Sequence, residues 1–166
     1  ADSVAKTDLI NGINLLTDMI ISPDGKYAFI TGVQCNYLTV TSQVSGGWIA
    51  ENIFIVVDVE RCEFVEEFFL DDDQLGAANP YGIALSDNGE NMIISLSGTD
   101  ELVFIPFQNI MKMLNDRPEW ARPGFGAYMY SSFAAGEVQL PMRLRVKFGL
   151  KGLRQVIPRG DDVYAL

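Results

Sequence analysis

The sequence predicts an all-β protein assembled from a recurring strand, turn, strand unit. Three observations carry this reading. The unit occurs at 18–31, returns at 79–95, and comes back in degenerate form at 153–166. The segments flanking the turns are rich in Ile, Val and Phe, the residues that suit pleated strands. Several of those segments are apolar without alternation, so both of their faces must be covered. Self-similarity of this kind marks a repeat architecture, and it constrains every later assignment of a site.

Taken in order, Met19-Ile20-Ile21 and Tyr27-Ala28-Phe29-Ile30 flank Ser22-Pro23-Asp24-Gly25-Lys26. Here Pro fixes one backbone dihedral and Gly supplies a positive one, the chemistry of a hairpin turn. Ile83-Ala84-Leu85 and Met92-Ile93-Ile94 flank Asp87-Asn88-Gly89 in the same way. Each hairpin is followed by a further branched strand, at 53–59 and 102–105. A fourth strand at 62–70 mixes apolar and acidic residues, as expected of an outer edge that must discourage pairing with other chains.

Four-stranded units covered on both faces are expected to stack around an axis as blades of a β-propeller. Ser22 and Ser86 stand 64 residues apart, longer than the roughly 40–50 of common propeller repeats, so each unit must carry an insertion. One insertion runs from Gln34 to Asn52. The other, at 106–140, opens with a short surface helix, because Phe107, Ile110, Met111 and Leu114 fall on one helical face between Pro106 and Arg117-Pro118. The expected layout is a single partial propeller: an outer strand of a preceding blade at 4–10, complete blades at 16–70 and 79–148, and the start of the next at 150–166. Propellers close with at least four blades, so the remainder is expected from a longer polypeptide or from other chains.

The motif Asn79-Pro80-Tyr81-Gly82-Ile83-Ala84-Leu85-Ser86, then Gly89, then Glu101-Leu102-Val103-Phe104-Ile105, resembles the repeat of YVTN-type and lactonase-like β-propellers. In that family an Asn-Pro-x-Gly lead-in precedes a Ser-Pro-Asp-Gly-Lys turn, which this chain carries in full at Ser22-Pro23-Asp24-Gly25-Lys26. Tyr27-Ala28-Phe29-Ile30-Thr31-Gly32 stands where the family has Tyr-Val-Thr-Asn. The third unit departs most, with Pro158-Arg159-Gly160-Asp161 replacing the turn. The resemblance implies a fold and leaves function open, since such propellers serve as enzymes, redox subunits and binding platforms.

Composition excludes several functions. Twelve basic against 22 acidic residues give a net charge of -10, a field that repels phosphate backbones, so no nucleic acid partner is expected. No run is long and apolar enough for a transmembrane segment. With no histidine, these residues supply no His-ligated zinc or haem and no Ser-His-Asp triad. No cofactor is expected from this chain. The start at Ala1-Asp2-Ser3 without Met fits either signal-peptide removal or an arbitrary boundary, and the expected location is periplasmic or extracellular.

Candidate sites are sparse. The aromatic loop with Trp120, Phe125, Tyr128, Tyr130 and Phe133 reads either as a partner-binding surface or as packing for the helix. Asp71-Asp72-Asp73 resembles the start of a calcium loop, but Gly82 stands where the bidentate Glu belongs, and a solvated turn accounts for it. Cys35 and Cys62 are expected to be free thiols. Glu66 with Glu67, and Asp87 with Glu90, read as edge-strand and turn residues rather than paired catalytic acids. Arg143, Arg145, Lys147, Lys151, Arg154 and Arg159 form the one basic concentration. Alternate residues Arg143, Arg145 and Lys147 would share one strand face, as a solvated surface or a docking stripe for an acidic partner.

Three function classes fit. The leading one is a non-catalytic scaffold that binds a protein partner or the remaining blades of the propeller. The alternative is the propeller portion of a periplasmic redox enzyme of the haem c peroxidase-like or amine dehydrogenase-like kind, to whose segments 147–164 is similar, with cofactor ligands outside this chain. The third is a lactonase-like hydrolase.

Overall fold

A computed structural model describes residues 6, 9, 12–35, 49–71, 76–116 and 143–166. The first sheet is built from β3 (Tyr27–Cys35), β4 (Ala50–Asp58) and β5 (Glu63–Phe69), hydrogen-bonded antiparallel in that order. Two short strands, β1 (Ile13–Asn14) and β2 (Met19–Ile21), pair with the two halves of β3. They are one innermost strand interrupted at Leu15, whose φ is +50°. The second sheet runs β6 (Pro80–Leu85), β7 (Asn91–Leu96), β8 (Glu101–Pro106), β9 (Leu144–Lys147), again antiparallel and in sequence order. A hairpin of β10 (Val156–Arg159) and β11 (Asp162–Ala165) follows. This is a partial β-propeller of two four-stranded blades plus strands of a flanking one. Of the segment at 4–10, only residues 6 and 9 are described.

The two repeated turns are the same structure atom for atom. Ser22 Oγ donates to Asp24 Oδ1 (2.5 Å) and accepts from the Tyr27 N–H (2.9 Å). Ser86 Oγ donates to Asn88 Oδ1 (2.7 Å) and accepts from the Asn91 N–H (2.9 Å). Gly25 and Gly89 follow with φ of +74° and +70°, a region where a Cβ is strained. Acid and amide are interchangeable at the third position because the turn itself uses the oxygen acceptor, while the Asn88 amide nitrogen donates separately to Glu90 Oε2 at 3.0 Å.

The central core lies between the two sheets. Phe29, Phe54, Val56 and Phe68 from the first meet Met92, Ile94, Val103 and Ile105 from the second, with Phe54 and Phe68 stacked at 4.9 Å. The helix α1 (Phe107–Asn115) closes one end of this core. Its Phe107, Ile110 and Leu114 are buried, and the Phe107 ring meets Phe29 edge-on at 5.7 Å. No side chain caps its start; instead the Phe107 N–H donates to Glu90 O at 2.8 Å. The far face of each sheet carries its own smaller cluster: Ala28, Ile53, Ile55, Val57 and Phe64 on the first, and Ala84, Ile93, Leu102, Leu153 and Val156 between the second sheet and the third hairpin.

Two expectations from the sequence are corrected. The acidic residues of β5 do not all face solvent: Glu67 pairs in register with Ile55 and is 4% exposed. The polarity of the first half of β9 is also inverted. Leu144 is 61% exposed while the Arg145 side chain is only 7% exposed. Alternation alone does not say which face is inward, and here charges on the neighbouring strand decide it.

Candidate functional site

The junctions between successive sheets are built by short polar side chains reaching to main-chain carbonyls. Thr31, on β3, donates its hydroxyl to Tyr81 O at 2.9 Å, and Thr17 donates to Pro80 O at 2.9 Å. One repeat later Ser95, on β7, reaches Arg154 O at 3.4 Å and accepts from the Gly82 N–H at 2.8 Å. Asp18 Oδ2 accepts the Ile83 N–H at 3.1 Å. Gly82 allows the closest approach of all, since a Cβ there would lie 2.5 Å from Arg154 O.

The innermost strands leave an apolar surface on this side. Leu15, Leu16, Met19, Ile21, Tyr81 and Ile157 are all substantially exposed. The Arg154 guanidinium sits 5.6 Å from the centre of the Tyr81 ring, the one described cation near this apolar strip in ring contact. No group of three potential metal-ligating side chains occurs among the described residues.

The outer strands are tied by a basic clamp. Arg143 donates to Phe69 O (2.9 Å) and Asp71 O (2.8 Å) of the first sheet. Arg145 donates to Gly76 O (3.0 Å) and to Glu101 Oε2 (2.5 Å). Burial, the largest influence on Glu101, acts to raise its pKa, but hydrogen bonds from Arg145 and Thr99 with the charges of Arg145 and Lys147 outweigh it and hold the carboxyl below its ordinary value. The stripe expected as a solvated face or docking surface is therefore an internal clamp in these two residues.

The other sequence candidates fall as follows. Trp120, Phe125, Tyr128, Tyr130 and Phe133 lie outside the described residues, as do Asp72 and Asp73. Asp71 is consumed structurally: it accepts the N–H groups of Asn52 (2.7 Å) and Ala77 (2.7 Å). Asp87 accepts the Gly160 N–H at 2.6 Å, linking the second sheet to the third hairpin. Neither Cys35 nor Cys62 is in a disulfide, and the Asn14 amide donates to Cys35 Sγ at 3.4 Å. Sequence reasoning missed the Asn52–Asp71 pair and the Thr31 and Ser95 junction hydroxyls. Only the recurrence of a hydroxyl residue 64 positions apart on β3 and β7 hinted at the latter.

Comparison with known proteins bears on the whole arrangement. No family model matches the chain. Over 112 residues it is 25% identical to hydrazine synthase subunit beta of Kuenenia stuttgartiensis, covering 67% of this chain and 29% of that relative. A solved structure of Kuenenia stuttgartiensis hydrazine synthase has a chain of similar fold, with a TM-score of 0.74 at 19% identity, covering 94% of this chain and 43% of that one. The fold is thus shared. The chain spans less than half the length of either protein it matches.

Proposed function

We propose that this chain is a propeller sector of a multi-subunit redox enzyme outside the cytoplasm, and that the groups binding its cofactor lie beyond these residues. The observation that carries the reading is the 112-residue similarity to an enzyme subunit, hydrazine synthase subunit beta, which covers 67% of this chain. It is supported by the absence of histidine, which leaves these residues without imidazole ligands or bases. The YVTN-type ancestry of the repeat belongs to the same reading. The chain's own task is then to hold neighbouring parts in register, using the junction hydroxyls and the arginine clamp.

Purification of the native assembly containing this sequence tests the proposal. A visible cofactor absorption band in the assembly, absent from the 166-residue chain alone, is the expected result. A colourless assembly without turnover would overturn the redox reading. It would leave the scaffold reading, which the exposed apolar strip along the innermost strands favours on its own account.

A further inference from the structure

The third hairpin has the inner two strands of a blade and an open edge. β3 is paired on both sides, by β1 and β2 on one and β4 on the other, and β7 likewise lies between β6 and β8. β11 takes the corresponding place in the third unit, since Gly160 precedes it with the positive φ that Gly25 and Gly89 have before β3 and β7. Yet β11 pairs with β10 alone, and no strand lies along its other edge among the described residues. Gln155 and Leu166 exchange main-chain hydrogen bonds (3.2 and 3.1 Å), so antiparallel alternation turns the N–H and C=O of Ala165 and Val163 towards that open edge. Such a row of main-chain groups is a template for another strand.

The second sheet has an uncovered face next to this edge. Counted from Ser22 and Ser86, Phe29 is equivalent to Ile93, so their partners Val56 and Phe104 are equivalent as well. The same register equates Phe68 with Val146 and Leu70 with Phe148. Main-chain bonds agree: the Leu70 N–H donates to Asn52 O (2.7 Å), and the Phe148 N–H to Asp100 O (3.0 Å). In the first sheet Val56, Phe68 and Leu70 lie in the central core with Val103 and Ile105 of β8, and none is more than 1% exposed. In the second, Phe148 is 38% exposed, Phe104 and Val146 are half-buried, and Leu144 beside them is exposed. The third hairpin brings Val156, Val163 and Ala165 onto Ala84, Ile93 and Leu102, the inner part of that face. Over the outer part, the counterpart of β8 is missing among the described residues.

We propose that a strand of the same polypeptide, beyond these 166 residues, adds antiparallel to β11 through Val163 and Ala165 and lays apolar side chains over Phe104, Val146 and Phe148. The same polypeptide is the source because both described sheets are laid down in sequence order, with β4 outside β3 and β8 outside β7. Length agrees, since this chain covers only 43% of the solved chain that shares its fold. The inference rests on the reading that the chain is one sector of a larger propeller. It adds the surface still to be covered and the chemistry of its cover.

The structure of the full-length polypeptide in its native assembly is the direct test. An antiparallel strand bonded to the main chain of Val163 and Ala165, with apolar atoms within about 4.5 Å of Phe104, Val146 and Phe148, is expected. A strand from another subunit or from a second copy of this chain, cover from the segment at 117–142, or solvent along that edge overturns the proposal. Proline supplies an independent arm, because V163P removes an N–H that β10 does not use, while V163A keeps it and measures the lost side-chain packing. V163P should melt about 5 °C or more below V163A in the full-length protein. Equal melting temperatures overturn the proposal, since a bare edge tolerates proline. Should V163P not fold, hydrogen exchange of the unaltered protein serves: amides of Val163 and Ala165 slowed about 100-fold or more against an unstructured peptide are expected, and any smaller slowing overturns the proposal. A cofactor-bearing assembly with β11 unpaired would sink this inference alone. A completed third blade in a colourless assembly without turnover would sink only the redox reading.

Discussion

Glu67 and Arg145 show how one side chain's surroundings set its contribution. Burial, reinforced by Glu66 and Glu51, pushes the Glu67 carboxyl up to about 8. A carboxyl whose pKa is raised in the folded state binds its proton more tightly there than when unfolded. Its stabilising effect is therefore complete at low pH and declines as pH rises from the ordinary value of 4.5 to about 8. In the chain alone, Glu67→Gln should leave the unfolding free energy unchanged near about pH 4 and raise it near about pH 9, by on the order of a few kcal/mol. Urea titrations at the two pH values measure this; equal midpoints at both would contradict it. Arg145→Met should cost about 3–5 kcal/mol by leaving Glu101 buried and unpaired, and adding Glu101→Gln should recover much of the loss. Chemical denaturation of the single and double variants checks this.

At the scale of elements, the turns were legible and the outer strands were not. Ser22-Pro23-Asp24-Gly25-Lys26 and its counterpart from Ser86 are local structures whose hydrogen bonds run within five residues, so the sequence contains everything that fixes them. The helix was legible too, since its apolar spacing suffices to place Phe107, Ile110 and Leu114 inward. The facing of β9 depends on Glu101 and on the carbonyls of Phe69, Asp71 and Gly76, which are 44 or more residues away. No pattern within Arg143-Leu144-Arg145-Val146-Lys147 could reveal it. The helix does more than cover a surface, because Phe107 contacts Phe29 of the other sheet. Phe107→Ala should destabilise the fold by about 3–5 kcal/mol, and a thermal melt should show both sheets losing structure in one shifted transition.

For the whole molecule, the repeat pattern revealed the partial propeller and the order of its sheets. The junction chemistry stayed hidden, because hydroxyls recurring 64 positions apart at Thr31 and Ser95 do not by themselves name the carbonyls they reach. The aromatic loop at 120–133 remains an expectation. Gly82 tests how the sectors adhere. Its α-carbon lies where any Cβ would strike the backbone at Arg154 and Gln155, so Gly82→Ala should push the third hairpin away at a cost of about 1–3 kcal/mol. Hydrogen exchange should then lose protection along β10 and β11 while β3 and β4 keep theirs; uniform loss, or none, would argue against a local junction.

The donors at each junction, Thr31 and Ser95, address main-chain oxygens instead of particular side chains. Every polypeptide offers such oxygens, so the side chains that flank them on a sector's innermost strand, Gly82 apart, can change while the sector still latches to its predecessor. Duplicated copies of the unit would have been able to drift apart in sequence while keeping a common pitch, which accounts for a third copy whose turn has lost its Ser-Pro-Asp signature yet still sits in line.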